Sequence, residues 1–235
     1  SLERESLCLS GPRAMVSPPK MQRKYPNAWI QTFTGRKFFP LEPDANDLDI
    51  RDIAHALSCT NRYGGHPCKP YSVAQHSCYV SMVGPIKQAR KKLMHDGTEA
   101  YITDIVRPLK ITGFYKGYRE MEDSLANLIE EWDGFDLGAF GDPDVHEADN
   151  LVLANEVRDM RIATNVDEWR LRYDPLKHLK IRPWSARVAE ERFLQLYTAY
   201  KHDLPIPASE TWYRRLDPTE TVPFTQKQKT RPVIV

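Results

Sequence analysis

The spacing of apolar residues through the middle of the chain restricts the possible folds more than any other feature. The segment from 114 to 132, FYKGYREMEDSLANLIEEW, repeats apolar side chains at steps of three and four residues. On an α-helix, that spacing places the side chains on one face. They are Phe114, Tyr118, Met121, Leu125, Leu128 and Trp132. The segment is therefore predicted to be an amphipathic helix that packs on the rest of the protein.

Capping residues divide the rest of the middle into further helices. Asp47 precedes the apolar face of LDIRDIAHALS, and this helix is expected to stop before the Gly64–Gly65 pair. Another helix is expected from about Pro85 through His95 to Tyr101. Three more helices are predicted to start at Ser72, Asp144 and Ser185.

Both ends of the chain are less regular, because prolines that mark loops collect there. Partial alternation around Gly35 predicts a short strand or hairpin. A chain of 235 residues can bury roughly 70% of its surface as one domain. We predict an all-α fold with a helical bundle over residues 28–203, an irregular N-terminal arm over 1–27 and a C-terminal extension over 204–235. For the N-terminal arm, disorder and a non-native origin are both open interpretations.

The charge balance and the lack of long apolar runs exclude several functional classes. Lys and Arg number 33 against 32 for Asp and Glu, so no global positive field favours nucleic acid. No apolar run reaches the roughly 18 to 20 residues that span a bilayer. The first segment, SLERESLCLSGPRAM, lacks the apolar core of a signal peptide. We expect a protein of the cytoplasm of a bacterium or a phage-infected host, without a membrane or a stable nucleic-acid partner.

The cysteines favour reduced thiols over a disulfide framework or a zinc site. Four cysteines are few for a disulfide scaffold in a chain of this length. Structural zinc sites pair their ligands two to four residues apart, and no two cysteines here are so close.

Ionisable residues inside predicted helices are the candidates for chemistry. His95, Asp96 and Glu99 lie within an arc of about 100° on a helix, so they can face one small volume. A solvated polar patch would show the same trio. His76 and Asp149, however, stand among small or apolar neighbours in two other helices, and buried ionisable groups need a partner or a metal. Two imidazoles and two carboxylates are a ligand set suited to divalent transition metals.

The order of these residues carries a family resemblance. His76, then His95-Asp96, then Asp149 resembles the H…HD…D signature of the HD-domain metal-dependent phosphohydrolases. The chain is most similar to the bacterial and phage 5′-deoxynucleotidase-like group. The matching motifs are DIAHALS, NRYGGH, YSVAQHS, LMHDGTEAYITDIVRPLK and EADNLVLANE, within about residues 28 to 200. The resemblance implies that the helical bundle is a single HD domain.

Roles at the catalytic centre follow from the resemblance. It implies that a divalent metal ion (Mn, Co, Zn, Fe or Mg) is held by His76, His95, Asp96 and Asp149. It also implies that Glu99 is the catalytic carboxylate that orients or deprotonates water. Asp104 matches a second family carboxylate, which handles a proton or positions the substrate.

The resemblance also implies residues on the substrate side. Arg62 and Lys110 match positions that face phosphate, with ordinary surface charge as the alternative. His66 lies near the site in the family. Tyr63 stands where deoxynucleotide-selective relatives carry Trp, which puts 2′-deoxy selectivity in doubt. Glu156, seven residues after Asp149, shares its helical face and is interpreted as a brace for Arg62 or for a metal ligand.

The expected function is hydrolysis of the 5′-phosphate ester of (deoxy)nucleotides, above all of nucleoside 5′-monophosphates to nucleoside and phosphate. One alternative is a phage-type triphosphohydrolase that converts, for example, dATP to deoxyadenosine and triphosphate. A second is a catalytically silent module that binds nucleotides. The near-neutral charge disfavours a nuclease. A homodimer is expected from the resemblance alone.

Overall fold

The computed structural model describes residues 23–110, 115–160, 162, 165–206 and 210–224, and this part of the chain is mostly helical. The all-α class predicted from the sequence is confirmed for these residues. The α-helices are α1 (Ile50–Cys59), α2 (Val73–Met82), α3 (Ala89–Met94), α4 (Glu99–Ile102), α5 (Arg107–Lys110), α6 (Lys116–Asp133), α7 (Pro143–Met160) and α8 (Ala186–Lys201). Short 3₁₀ helices span Ala45–Asp47, Arg62–Gly65, Ile86–Gln88, Ala139–Gly141 and Val166–Trp169.

Helix α2 lies at the centre of the bundle. All ten of its residues are buried, and it packs against α1, α3, α7 and α8. A helix buried on every side needs no polar face. His76, in the middle of α2, is therefore fully enclosed, with an exposed fraction of 0%.

Two helix starts follow the predicted caps, and two differ by one or two residues. The Ser72 side chain accepts a hydrogen bond from the Gln75 backbone N–H at 3.2 Å, and Ser185 caps α8 in the same way. Helix α1 begins after Asp49, two residues later than expected, because Asp49 accepts from the Arg51 N–H at 2.9 Å. The expected cap, Asp47, is instead paired with Arg23 at 3.0 Å. Helix α7 begins at Pro143, one residue before Asp144.

The continuous helix expected from Pro85 to Tyr101 is wrong, because the chain turns between α3 and α4. Gly97 lies in this turn and donates its N–H to the Met94 carbonyl at 2.8 Å. A Cβ at position 97 would approach that carbonyl oxygen to 2.9 Å, so a larger residue would force the turn to shift. His95 and Asp96 therefore lie in the turn that follows α3, and Glu99 begins the next helix.

Helix α6 has the amphipathic character that its sequence predicts. Leu125 and Ile129 are fully buried, and Tyr118, Met121, Leu128 and Trp132 pack at the edge of the core. Phe114 lies outside the described residues. The helix ends at Gly134, whose φ of 81° is the left-handed conformation that commonly closes helices.

The hairpin expected around Gly35 is present. Strands β1 (Ile30–Gln31) and β2 (Lys37–Phe38) pair antiparallel, with Ile30 opposite Phe38. Gly35 lies between them with a φ of 85°. The buried side chain of Phe38 stacks on Tyr101 with ring centroids 3.9 Å apart, which attaches the hairpin to the bundle.

Segments beyond the predicted bundle boundaries also pack on it. The backbone N–H groups of Lys24 and Tyr25 donate to the Glu42 carboxylate at 2.8 and 2.9 Å. In the predicted C-terminal extension, Leu216 is buried in the core and exchanges backbone hydrogen bonds with Met82 and Gly84. The domain boundaries themselves stay predictions, and residues 1–22 and 225–235 lie outside the described part.

Two other expectations concern thiols and membranes. Cys59, Cys68 and Cys78 carry free thiols, as expected, and Cys8 lies outside the described residues. Within the part of the chain that the structure describes, no helix has the length and apolar character required to cross a bilayer.

Candidate metal centre

Three of the predicted metal ligands come together in one small volume. One ligand atom each from His76, His95 and Asp96 lies within 4.8 Å of the others. His76 Nε2 is 3.6 Å from Asp96 Oδ2, and His95 Nε2 is 3.2 Å from Asp96 Oδ1. Buried helix α2 supplies the first residue, and the turn after α3 supplies the other two. This group can hold a metal ion.

The fourth predicted ligand adjoins this group through His76. Asp149, on α7, places Oδ1 3.1 Å from His76 Nε2. That nitrogen is fully buried, yet it lacks the geometry of a hydrogen bond to any described residue. A buried ring nitrogen close to two carboxylates without a hydrogen bond fits a shared cation better than a closed polar network. The residues present therefore fit a metal ion.

Hydrogen bonds on the far side of each imidazole fix which nitrogen faces the cluster. His95 Nδ1 lies 2.8 Å from the Lys92 carbonyl oxygen, which can only accept, so Nδ1 carries the proton. His76 Nδ1 lies 2.6 Å from Glu156 Oε1. In a neutral imidazole with a protonated Nδ1, the lone pair is on Nε2. Both rings thus present the nitrogen that a metal needs.

Glu156 links the cluster to the loop before α2. Its carboxylate is fully buried, accepts from His76 Nδ1 and the Tyr63 hydroxyl, and lies 3.5 Å from Arg62 Nε. Burial alone would raise its pKa, but the charges of Arg62 and His76 outweigh burial and lower it to about 2. Glu156 thus contacts both Arg62 and a predicted metal ligand, which are the contacts that its interpretation as a brace requires.

The carboxylates around His76 favour the protonated form of its imidazole. Burial and the nearby charge of Arg62 both disfavour the imidazolium, but Glu156 and Asp149 outweigh them and raise the pKa of His76 to about 9. Burial lowers the pKa of His95 instead, and Asp96 compensates only in part. Burial would also raise the pKa of Asp149, but His76 lowers it well below the ordinary value.

Arg62 contacts the cluster directly and Tyr63 contacts it through Glu156, while the place of His66 near the site stays a prediction. Arg62 Nη1 lies 3.3 Å from Asp96 Oδ2, so its guanidinium contacts carboxylates on two sides of the cluster. Tyr63 has a φ of 58°, which is unusual for a residue with a Cβ, and its ring packs edge-on against Trp169. His66 is exposed, and no side-chain hydrogen bond joins it to the cluster among the described residues.

Glu99 and Lys110 form a second charged group next to the cluster. Glu99 is buried at the start of α4, and its backbone N–H donates to the Asp96 carbonyl at 3.0 Å. Lys110 Nζ lies 3.4 Å from Glu99 Oε1, while Glu99 Oε2 is buried without a hydrogen-bond partner in the described part. Burial raises the pKa of Glu99 well above its ordinary value, and the charges of Asp96 and Asp104 add to this. Asp104 itself is half-buried in the connection between α4 and α5.

Sequence reasoning missed Glu122 on α6, which accepts from Lys110 Nζ at 2.9 Å. No spacing rule joins these residues, because they belong to different helices, α5 and α6.

Together, the fold and the site define a helical protein with a buried histidine and aspartate cluster that can bind a cation. No protein-family model matches the chain. It is 39% identical to the uncharacterized protein YfdR of Escherichia coli K12 over 133 residues, which are 57% of this chain and 72% of that relative. The chain belongs to the same family as YfdR. An uncharacterized protein of Rhodobacter capsulatus is 35% identical over 111 residues, covering 43% of this chain and 56% of its own length.

Proposed function

We propose that the protein is an HD-domain phosphohydrolase that cleaves the 5′-phosphate ester of (deoxy)nucleotides, with nucleoside 5′-monophosphates as its main substrates. One observation carries the proposal. Residues that match the H…HD…D order lie far apart in the sequence, yet ligand atoms of His76, His95 and Asp96 lie within 4.8 Å of one another and Asp149 contacts His76. The buried carboxylate of Glu99 lies one turn beyond them.

The proposed metal ligands are His76, His95, Asp96 and Asp149. When bound, a divalent cation would lower the pKa of water and neutralise phosphate charge. Two imidazoles among the ligands favour Mn, Fe, Co or Zn over Mg, which prefers oxygen ligands. Glu156 and the Lys92 carbonyl keep the two rings oriented toward the site.

The proposed reaction assigns separate tasks to the residues beside the cluster. Glu99 holds or accepts a proton, because its raised pKa suits general acid and base chemistry and its Oε2 is unengaged in the described part. Asp104 acts on Glu99 through its charge. Lys110 supplies a cation for a phosphate oxygen. Arg62 is held by Asp96 and Glu156, so it stabilises the anionic cluster as well as any phosphate.

A paired substitution tests the proposal. Glu99→Gln should abolish turnover while bound metal is retained, because Glu99 is not among the metal ligands. Asp96→Asn should lose the metal as well. Glu120→Gln, at an exposed position of α6, is the control and should change neither quantity. Metal content is measured by elemental analysis, and turnover by identifying products from nucleoside mono-, di- and triphosphates with added Mn or Co. A Glu99→Gln protein with near-normal kcat would contradict the role of Glu99.

Product identity separates the alternatives. Release of triphosphate would establish the triphosphohydrolase alternative. Exposed Arg107, Lys116 and Arg119 lie close to Lys110 in sequence and would suit the additional phosphates. Nucleotide binding with no product from any substrate would establish the silent binding module.

A further inference from the structure

Helix α6 contacts both ends of the segment that runs from α4 through α5. The Tyr118 hydroxyl donates to the carbonyl of Thr103, directly after α4, at 2.8 Å. The Glu122 carboxylate accepts from Lys110, the last residue of α5, at 2.9 Å. Tyr118 and Glu122 are four residues apart and therefore share one face of α6. A single helix face thus holds residues 103 and 110.

The first of these contacts lies at a strained point of the backbone. Thr103 has a φ of 66°, a conformation that is costly for a β-branched residue and persists only where surrounding contacts enforce it. The hydrogen bond from Tyr118 to the Thr103 carbonyl is one such contact. Helix α6 therefore helps to set the direction in which the chain leaves Glu99.

The second contact holds a flexible cation between two carboxylates. Lys110 Nζ is nearer to Glu122, at 2.9 Å, than to Glu99, at 3.4 Å. The Tyr118 ring centroid lies 5.7 Å from the same ammonium group. A lysine side chain has many rotamers and stays in one place only when its partners hold it. Without Glu122, the remaining carboxylate within reach of Lys110 in the described part is Glu99.

We propose that Glu122, with Tyr118, is a positioning residue that prevents the Lys110 ammonium from closing on Glu99 and so leaves it available to a phosphate oxygen of the substrate. The inference rests on the proposed function. Glu122 does not touch the substrate and acts through Lys110. Its loss would let Lys110 close on Glu99, and phosphate would then compete with Glu99 for the ammonium group.

Two substitutions of Glu122 distinguish its placement of Lys110 from the direct effect of its negative charge on phosphate. Glu122→Leu removes both the acceptor and the charge, and should weaken binding of inorganic phosphate to the Mn-loaded protein about tenfold, as expected for loss of one charged hydrogen bond. Glu122→Gln retains an acceptor oxygen and should give an intermediate affinity. Glu120→Gln, two residues away and exposed, should bind phosphate like the wild type. Calorimetry measures phosphate affinity, and kcat and KM are measured in parallel.

The opposite order of affinities would overturn the inference. If Glu122 only repels phosphate, Glu122→Leu and Glu122→Gln should both bind phosphate more tightly than the wild type. If Lys110→Met weakens phosphate binding and Glu122→Leu does not, Glu122 does not position Lys110, and the proposed function is unaffected. If the wild type neither binds phosphate nor hydrolyses any nucleotide, the proposed function fails, and this inference fails with it.

Discussion

Replacing Glu156 by Gln removes one buried charge and leaves the shape of the side chain intact. Glu156 has an exposed fraction of 0% and accepts hydrogen bonds from His76 and Tyr63. Partners that orient a metal-bound histidine typically contribute 10- to 100-fold to metal affinity. We therefore expect Glu156→Gln to weaken metal binding by about this factor. The neutral amide accepts a weaker hydrogen bond from His76 and lacks the negative charge that makes the imidazole a stronger metal ligand.

The same substitution should lower the stability of the metal-free protein. Arg62 would lose one of its two carboxylates, and removing one partner of a buried ion pair costs about 3 kcal/mol or more. For a chain of this size, about 3 kcal/mol corresponds to a decrease in Tm of roughly 6 to 12 °C. Tyr63→Phe, which leaves the carboxylate charged, should cause a smaller decrease.

A matched control comes from a similar pair at the protein surface. Glu190 Oε2 lies 3.0 Å from His55 Nδ1, and both side chains are partly exposed. Glu190→Gln should change stability by less than about 1 kcal/mol and leave metal affinity unchanged. Metal affinity is measured by competition with a chelator well below the Tm of each variant. Wild-type metal affinity in Glu156→Gln, together with a lowered Tm, would show that Glu156 stabilises the fold without orienting a ligand.

Other predictions concern pH, metal loading and the C-terminal segment. The pKa of His76 in the folded protein, about 9, exceeds its unfolded value of 6.5, so its contribution to the free energy of unfolding is complete below pH 6.5 and decreases above it. The protein without metal should therefore lose about 2 kcal/mol of stability between pH 6.5 and 8. Metal affinity should instead rise up to tenfold per pH unit, because the metal displaces the proton of His76. Thermal unfolding measures how stability changes with pH, and metal titration measures how metal affinity changes with pH. Both dependences should persist in His55→Asn, and a stability that does not change with pH would contradict a protonated His76. Metal at 100 times its Kd should stabilise the folded protein by about 2.7 kcal/mol, and an unchanged Tm would contradict metal binding to the folded state. Arg215 donates hydrogen bonds to the carbonyls of Ser81 and Gly84, so Arg215→Leu should lower the free energy of unfolding by about 2 kcal/mol, as measured by chemical denaturation. Arg214→Leu, at an exposed neighbouring position, should lower it by less than about 0.5 kcal/mol. Equal losses would contradict the anchoring role of Arg215.

Local signals in the sequence were sufficient for much of the helical framework. Ser72 and Ser185 cap their helices as predicted, because the capping bond joins residues three apart and depends on nothing distant. The turn at Gly97 was missed, because the strong helix formers in ARKKLM before it and Glu99 and Ala100 after it favour a continuous helix, and a single glycine does not necessarily end one. Asp47 was mistaken for a cap, since its pairing with Arg23 depends on the path of the N-terminal segment.

For the site, the sequence indicated which residues meet but not how they are supported. Glu156 could be inferred because it shares a helical face with Asp149. Glu122 could not, because its contact with Lys110 depends on how α6 packs beside α5. His66 is exposed, and its expected place near the site stays a prediction. Long-range packing decides such contacts, and no local pattern encodes it.

For the proposed metal site, the charges around His76 would favour a divalent cation over a monovalent one. Asp96, Asp149 and Glu156 contribute three negative charges, and Arg62 contributes one positive charge within the same contacts. A proton on His76 leaves the metal-free group with one net negative charge. A divalent cation that displaces this proton brings the group to zero, whereas a monovalent cation would leave it negative. Because uncompensated charge in an enclosed site is costly, the neutral state should be the most favourable one. Glu156 remains ionised in the core because Arg62 and His76 lie against it, and it would balance a bound cation through His76 without binding the cation directly.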